Sequence, residues 1–175
     1  MSQTHEKLRY SNGGVLSKAE RYLERALSFY EKNKFEDALA DLNEALRLER
    51  RNAELYATRG YIYLEQGNGA AAEADFKKAL SLDPSQWIVH YARARQALRD
   101  EQPDAALGHL NEAQRFAPLR PEVLIYRAIS YYYKSEKQNA LREIEGALDV
   151  IQPQKGKRDK RATMARKWRT AIKKL

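Results

Sequence analysis

Side chains able to do chemistry are few in this sequence, and their spacing decides what they can do. His5, His90 and His109 have no second histidine four residues on and no carboxylate at helical zinc-site spacing, so no metal is expected. There is no cysteine, which removes thiolate ligands, disulfides and a thiol nucleophile together. Asp100 and Glu101 are neighbouring carboxylates, but successive helical positions point apart, so the pair reads as a solvated helix end. Gly67-Asn68-Gly69 follows no strand and reads as a turn between helices, not as a phosphate loop. No nucleophile motif is present. These residues predict no enzyme and no cofactor.

Charge carries more information. Arg25, Arg59, Arg93 and Arg127 recur at a fixed step, and sixteen residues after each stands Asp41, Asp75, His109 or Glu143. On a helical hairpin those positions face each other, which predicts cross-helix ion pairs in three cases and a break at His109. A ladder of arginines for an anionic ligand is the competing reading, and the matched acids weigh against it. The formal net charge of +8 sits at one end: residues 154–175 hold ten Lys or Arg against Asp159. The remainder is close to neutral, which disfavours a basic body built around nucleic acid.

The elements that must position these groups follow from self-comparison. Shifted by 34 residues, the sequence aligns Ala26, Gly60, Ala94 and Ala128, then Ala38, Ala72, Ala106 and Ala140, then Ala45, Ala79, Ala113 and Ala147. Larger residues keep the same step: Phe29, Tyr63 and Tyr131 in one row, and Leu42, Phe76, Leu110 and Ile144 in another. Within one unit, Tyr56, Gly60, Tyr63 and Leu64 form one helical stripe and Ala72, Phe76, Ala79 and Leu80 a second, ended by Asp83-Pro84. Small residues at fixed places let paired helices approach closely while large neighbours fill the space beside them. Ser17 with Glu20 forms a capping box, Ser85 is placed to cap the first helix of the third unit, and Pro103 suits a first helical turn. Four units follow, 19–52, 53–86, 87–120 and 121–154, within a domain spanning 17–154.

The chain has 175 residues, 43% hydrophobic and 32% charged. No stretch nears the ~20 apolar residues of a membrane span. Met1 to Leu16 lacks the apolar run of a secretory signal. A cytoplasmic protein is expected, with residues 1–16 a flexible segment of no assigned role.

The repeat resembles the tetratricopeptide repeat, most closely at Tyr56, Gly60, Tyr63, Ala72, Phe76, Ala79 and Pro84. The third unit departs furthest, with His90 at an aromatic position and Ala97 where Tyr or Phe is usual. The resemblance implies an all-α fold, a right-handed superhelical α-solenoid of four antiparallel helix-turn-helix repeats. It also implies a concave groove lined by the first helix of each unit. The rows there read Leu23, Ala57, Tyr91, Ile125; Leu27, Tyr61, Arg95, Ile129; and Tyr30, Leu64, Leu98, Tyr132, with Arg99 beside them. About half of these are expected to pack against neighbouring helices. The exposed remainder would suit an apolar or amphipathic peptide or helix, docked helix-in-groove. Glu20, Glu54 and Glu122 flank the rows, and Arg95 and Arg99 supply the positive spot. The family's carboxylate clamp of Lys and Asn is missing, because Leu23, Leu27, Thr58, Ile88 and Ala92 occupy that region.

Residues 155–175 form a basic amphipathic helix. Met164 or Ala165, Trp168, Ala171 or Ile172 and Leu175 make its apolar stripe. Lys157, Arg158, Arg161, Arg166, Lys167, Arg169, Lys173 and Lys174 supply its charge. Three readings stand side by side: a cap on the fourth unit anchored by Trp168, a helix for nucleic acid or an anionic membrane surface, and a ligand for the groove of the same or another copy. The expected activity is a non-catalytic protein-binding scaffold, with homo-oligomerisation open.

Overall fold

The computed structural model describes residues 16–151 and 159–175. His5, Pro153, Gly156, Lys157, Arg158 and all but Leu16 of the 1–16 segment lie outside the described residues. The described residues form helices only: α1 (Lys18–Glu31), α2 (Phe35–Leu48), α3 (Ala53–Glu65), α4 (Gly69–Leu82), α5 (Trp87–Arg99), α6 (Pro103–Phe116), α7 (Pro121–Tyr133), α8 (Lys137–Val150) and α9 (Lys160–Lys173). These nine helices among the described residues accommodate about four hairpin repeats. They divide into two compact units, Met1–Val89 and His90–Leu175. In the first, α1 packs on α2, α3 on α4, and α2 on α3. In the second, α7 packs on α8 and α6, and α9 lies against both α8 and α7.

Local chemistry sets the helix ends. Ser17 Oγ accepts from Glu20 N at 3.1 Å while Ser17 N donates to the Glu20 carboxylate at 2.6 Å, closing the capping box. Asn52 and Asn68 accept from Leu55 N and Ala71 N, each at 3.2 Å. Pro103 and Pro121 open α6 and α7, where a missing N–H costs nothing. Ser85 behaves differently from the sequence expectation: its N–H and hydroxyl both donate to Asp83 Oδ1, at 2.9 and 2.5 Å. The short Asp83 carboxylate lies two residues back, so the turn uses the hydroxyl before the helix begins.

The hairpin turns share one backbone device. Asn33, Gly67, Glu101 and Ser135 have φ of 57°, 82°, 57° and 60°, one repeat step apart. After each, an N–H reaches back to a carbonyl of the preceding helix: Lys34 to Phe29, Asn68 to Tyr63, Gln102 to Ala97 and Glu136 to Tyr131, at 2.8–3.0 Å. That is a left-handed helix stop closed by a six-residue bond. Gly67, and more weakly Asn33, advertise it by residue type, whereas Glu101 and Ser135 do not.

The twelve recurring small residues are all buried. At Gly60 an added Cβ would stand 2.8 Å from the Phe76 ring and 3.0 Å from the Ala72 carbonyl oxygen, so α3 and α4 touch backbone to ring. Around these crossings, Leu42, Leu46, Leu55 and Ile62 form the core of the first unit. Ile125, Ile129, Ile144 and Ile151 do so in the second, together with Ala162, Ala165 and Ile172 of α9.

Across each hairpin the arginines meet their acids. Arg25 binds Asp41 at 2.5 and 2.6 Å, Arg59 binds Asp75 at 2.7 and 2.8 Å, and Arg127 binds Glu143 at 3.0 and 3.1 Å. Two of them reach further. Arg59 also donates to Asn43 of α2 at 2.7 Å, and Arg127 donates to Asn111 of α6. Each of these two arginines therefore ties the second helix of its own hairpin to the second helix of the hairpin before. Side-chain exposure of the arginine falls from 58% to 21% to 10% along the series. In the third position the acid is replaced by His109. Burial and the Arg93 charge hold the His109 imidazole below its usual pKa. His90 is lowered by burial, Arg93 and His109, with Glu112 opposing.

Four outcomes test these features. Arg127→Ala strands the buried Glu143 and should destabilise the protein by about 3–5 kcal/mol; Arg25→Ala leaves an equally buried Asp41 but opens a site already lined by solvent on the arginine side, so it should cost clearly less. Gly67→Ala places a side chain in open space at positive φ, so its loss of about 1 kcal/mol in a urea titration measures backbone strain alone. The two histidines titrate below their unfolded value, so the unfolded chain binds the extra protons and Tm should drop as pH falls below about 6.5. His109→Asp should raise Tm at neutral pH by about 2–4 °C, for a gain of roughly 1 kcal/mol, and flatten the acid limb.

Candidate functional site

In the first unit, the first helix of each hairpin presents Leu23, Leu27 and Tyr30 on α1 and Ala57, Tyr61 and Leu64 on α3. Ala57 is fully buried. Tyr61 is only 9% exposed; its hydroxyl hydrogen-bonds that of Tyr30 at 2.8 Å, with ring centroids 5.4 Å apart. These two tyrosines staple α1 to α3. Leu27 and Leu64 are half-buried and lie outside the unit's buried cluster, whereas Leu23 and Tyr30 pack onto it.

In the second unit, Ile125 and Ile129 are 1% and 4% exposed and belong to the core. Tyr61 and Ile129 therefore serve packing where the sequence placed them on a groove, and the reason is positional: each faces a neighbouring helix. Tyr91 meets Tyr126 edge-on at 5.4 Å, and the Arg95 guanidinium lies 5.3 Å from the Tyr126 ring centre and 5.9 Å from that of Tyr91. Arg95 is thus a cation held over aromatic faces, as their quadrupoles favour. Arg99 is exposed, and Leu98 and Tyr132 are half-buried against the core. Thr58 and Ala92, at positions of the missing carboxylate clamp, are buried.

The C-terminal helix α9 sorts its residues sharply. Asp159 caps it, accepting from Arg161 N at 2.8 Å. Arg161 is drawn inward: its guanidinium reaches Glu122 of α7 at 3.1 Å and Asp159 at 2.8 Å, leaving 14% of the side chain exposed. Arg169 pairs with Glu145 of α8 at 3.5 Å. Ala162, Ala165 and Ile172 are buried, with Ile172 fully so. Trp168 is half-buried and meets Tyr132 at 5.3 Å and Tyr133 at 6.2 Å. The deepest anchor is Ile172, and the tryptophan stands at the edge of the contact. Arg166, Lys167, Lys173 and Lys174 face solvent, together with Lys160, Thr163 and Thr170.

Sequence reasoning passed over Tyr126 and Tyr133. They occupy rows that read Glu24, Thr58, Ala92, Tyr126 and Glu31, Glu65, Arg99, Tyr133, where no aromatic recurs. The available signal was the departure from the repeat, not the repeat itself. Among the described residues no group of three His, Asp or Glu stands ready for a metal ion. None of the described helices is long and apolar enough to cross a membrane.

Comparison with known proteins fits this architecture. Residues 26–67 match the TPR repeat family and residues 53–86 the Tetratricopeptide repeat family. The chain is 32% identical over 117 residues to mouse (Mus musculus) Tetratricopeptide repeat protein 16, covering 61% of this chain and 15% of that protein. It is 34% identical over 94 residues to Heat shock protein STI1 of Saccharomyces cerevisiae, covering 51% of this chain and 16% of that one. The chain thus spans a small fraction of these relatives. Among solved structures, a thermophilic TPR protein of Thermus thermophilus superposes with TM-score 0.65 at 18% identity, over 88% of this chain and 80% of its own. Yeast Tom70 does so with TM-score 0.61 at 24% identity, over 89% of this chain and 31% of its own. Repeat spacing, helical hairpins and family matches agree: the chain carries tetratricopeptide repeats, matched by the family models over residues 26–86.

Proposed function

We propose that the chain is a non-catalytic, cytoplasmic interaction scaffold that takes an apolar or amphipathic peptide segment on the first helices of its hairpins. The observation that carries this reading is the pair Leu27 and Leu64, large aliphatic side chains that stay partly exposed on α1 and α3 and are not among the residues packed on the Leu42, Leu55 and Ile62 core. Aliphatic area kept at the surface gains from covering at about 25 cal/mol per Å², and an amphipathic helix offers its apolar face at matching spacing. The tetratricopeptide fold supports a protein partner, and the family's usual work is assembly rather than catalysis.

Selection of displayed peptides on the whole chain should return sequences with apolar residues three and four apart. The Leu27→Glu and Leu64→Glu double variant should lose those peptides by tenfold or more while its thermal melt stays within a few degrees of the parent. Equal binding by parent and double variant would overturn the assignment. Tyr61 is unsuited to the experiment, since its burial and hydroxyl bond make any loss of binding indistinguishable from loss of fold.

A further inference from the structure

We infer that α9 and the C-terminal end of α7 form a binding surface for single-stranded nucleic acid. Two independent features meet there. One is a row of charge. Lys160, Arg166, Lys167, Lys173 and Lys174 are exposed along a 14-residue helix, about 20 Å long at 1.5 Å per residue. The acids near α9 are already committed to other cations: Asp159 and Glu122 to Arg161, and Glu145 to Arg169. Thr163 and Thr170 lie within the same face with their hydroxyls turned back to the Asp159 and Arg166 carbonyls, at 3.1 and 3.0 Å. Nothing acidic among the described residues interrupts the row. Lys137 adds a further cation at one end, its Nζ 3.1 Å from the Lys173 carbonyl oxygen.

The other feature is aromatic. Tyr132, Tyr133 and Trp168 contact one another edge-on, with centroids 5.3–6.2 Å apart, and Tyr133 is 58% exposed. On the helical wheel of α9, Trp168 stands about 100° from Lys167, on the flank between the buried face and the Lys160, Lys167 and Lys174 row. A supported ring beside a line of cations is what a single strand needs, because its bases are free to stack while its phosphates follow the charge.

The same geometry argues against the other polyanions. A duplex keeps its base faces stacked inside and has no use for Tyr133. A membrane-surface helix must bury its apolar face in lipid, but Ala162, Ala165 and Ile172 of α9 are already buried against α7 and α8.

The test uses fluorescence anisotropy of the full chain with labelled oligouridylate and oligodeoxythymidylate of about 12 nucleotides, in about 50 mM salt. Binding to either is expected, and the two arms report whether the ribose hydroxyl is read. Tyr133→Ala should weaken binding about tenfold, and Tyr133→Phe should restore it. The triple change Lys160→Gln, Lys167→Gln, Lys174→Gln should reduce the salt slope by about 2. No binding, an unaltered affinity for Tyr133→Ala, or equal binding of a duplex or of phosphatidylserine vesicles would each overturn the inference.

Discussion

The structure rests on close approach of helices at places where a side chain is missing. Gly60 makes the point physically: α3 and α4 are so near that even a methyl group would press on the Phe76 ring. Eleven alanines repeat the arrangement at the other recurring sites, all buried. Once the crossing is set by a small residue, the large partner beside it has one place to go, and the hairpin angle follows from packing density. The ion pairs are secondary to this. They sit between helices already in contact, and their desolvation offsets much of their attraction, so they fix register more than they add stability.

The graded burial of those pairs shows how one sequence position changes its role with context. Arg25 is largely open to solvent, so its bond to the buried Asp41 is screened from the arginine side only. Arg127 is almost fully covered, and bonds to Glu143 and Asn111 satisfy it from two helices. The exchange of an acid for His109 removes the favourable charge and leaves a half-buried imidazole facing Arg93. The third hairpin is accordingly the one whose cross-helix electrostatics work against protonation.

Periodicity made the helices, the buried small residues and the three cross-helix pairs legible, since each depends only on residue type at a fixed step. What escaped was set by contacts that no single repeat encodes. Three of the four left-handed turn residues, Asn33, Glu101 and Ser135, are not glycine, and their φ values come from the closure of the hairpin around them. Tyr61 and Tyr30 read as surface aromatics because they stand in different rows of the repeat, whereas their hydroxyls meet across adjacent repeats. Arg161 read as one more tail cation, although Glu122 on a helix 39 residues earlier draws it inward. Ile172 lies deeper than Trp168: it is fully buried in the core that α9 shares with α7 and α8, while the indole is half-buried and rests on Tyr132 and Tyr133.

That last arrangement links packing to charge. A helix that covers the end of a repeat array must give one face to the core, and α9 does so with small and aliphatic side chains. The basic residues of α9 that border that contact, Arg161 and Arg169, are matched to Glu122 and Glu145, as partly covered charges must be. The remaining cations are then forced onto the opposite face, where no packing role constrains them. A covering function alone needs polar residues there, but it has no requirement that they share one sign. Uniform positive charge beside an exposed tyrosine is therefore a property of α9 that its packing does not explain.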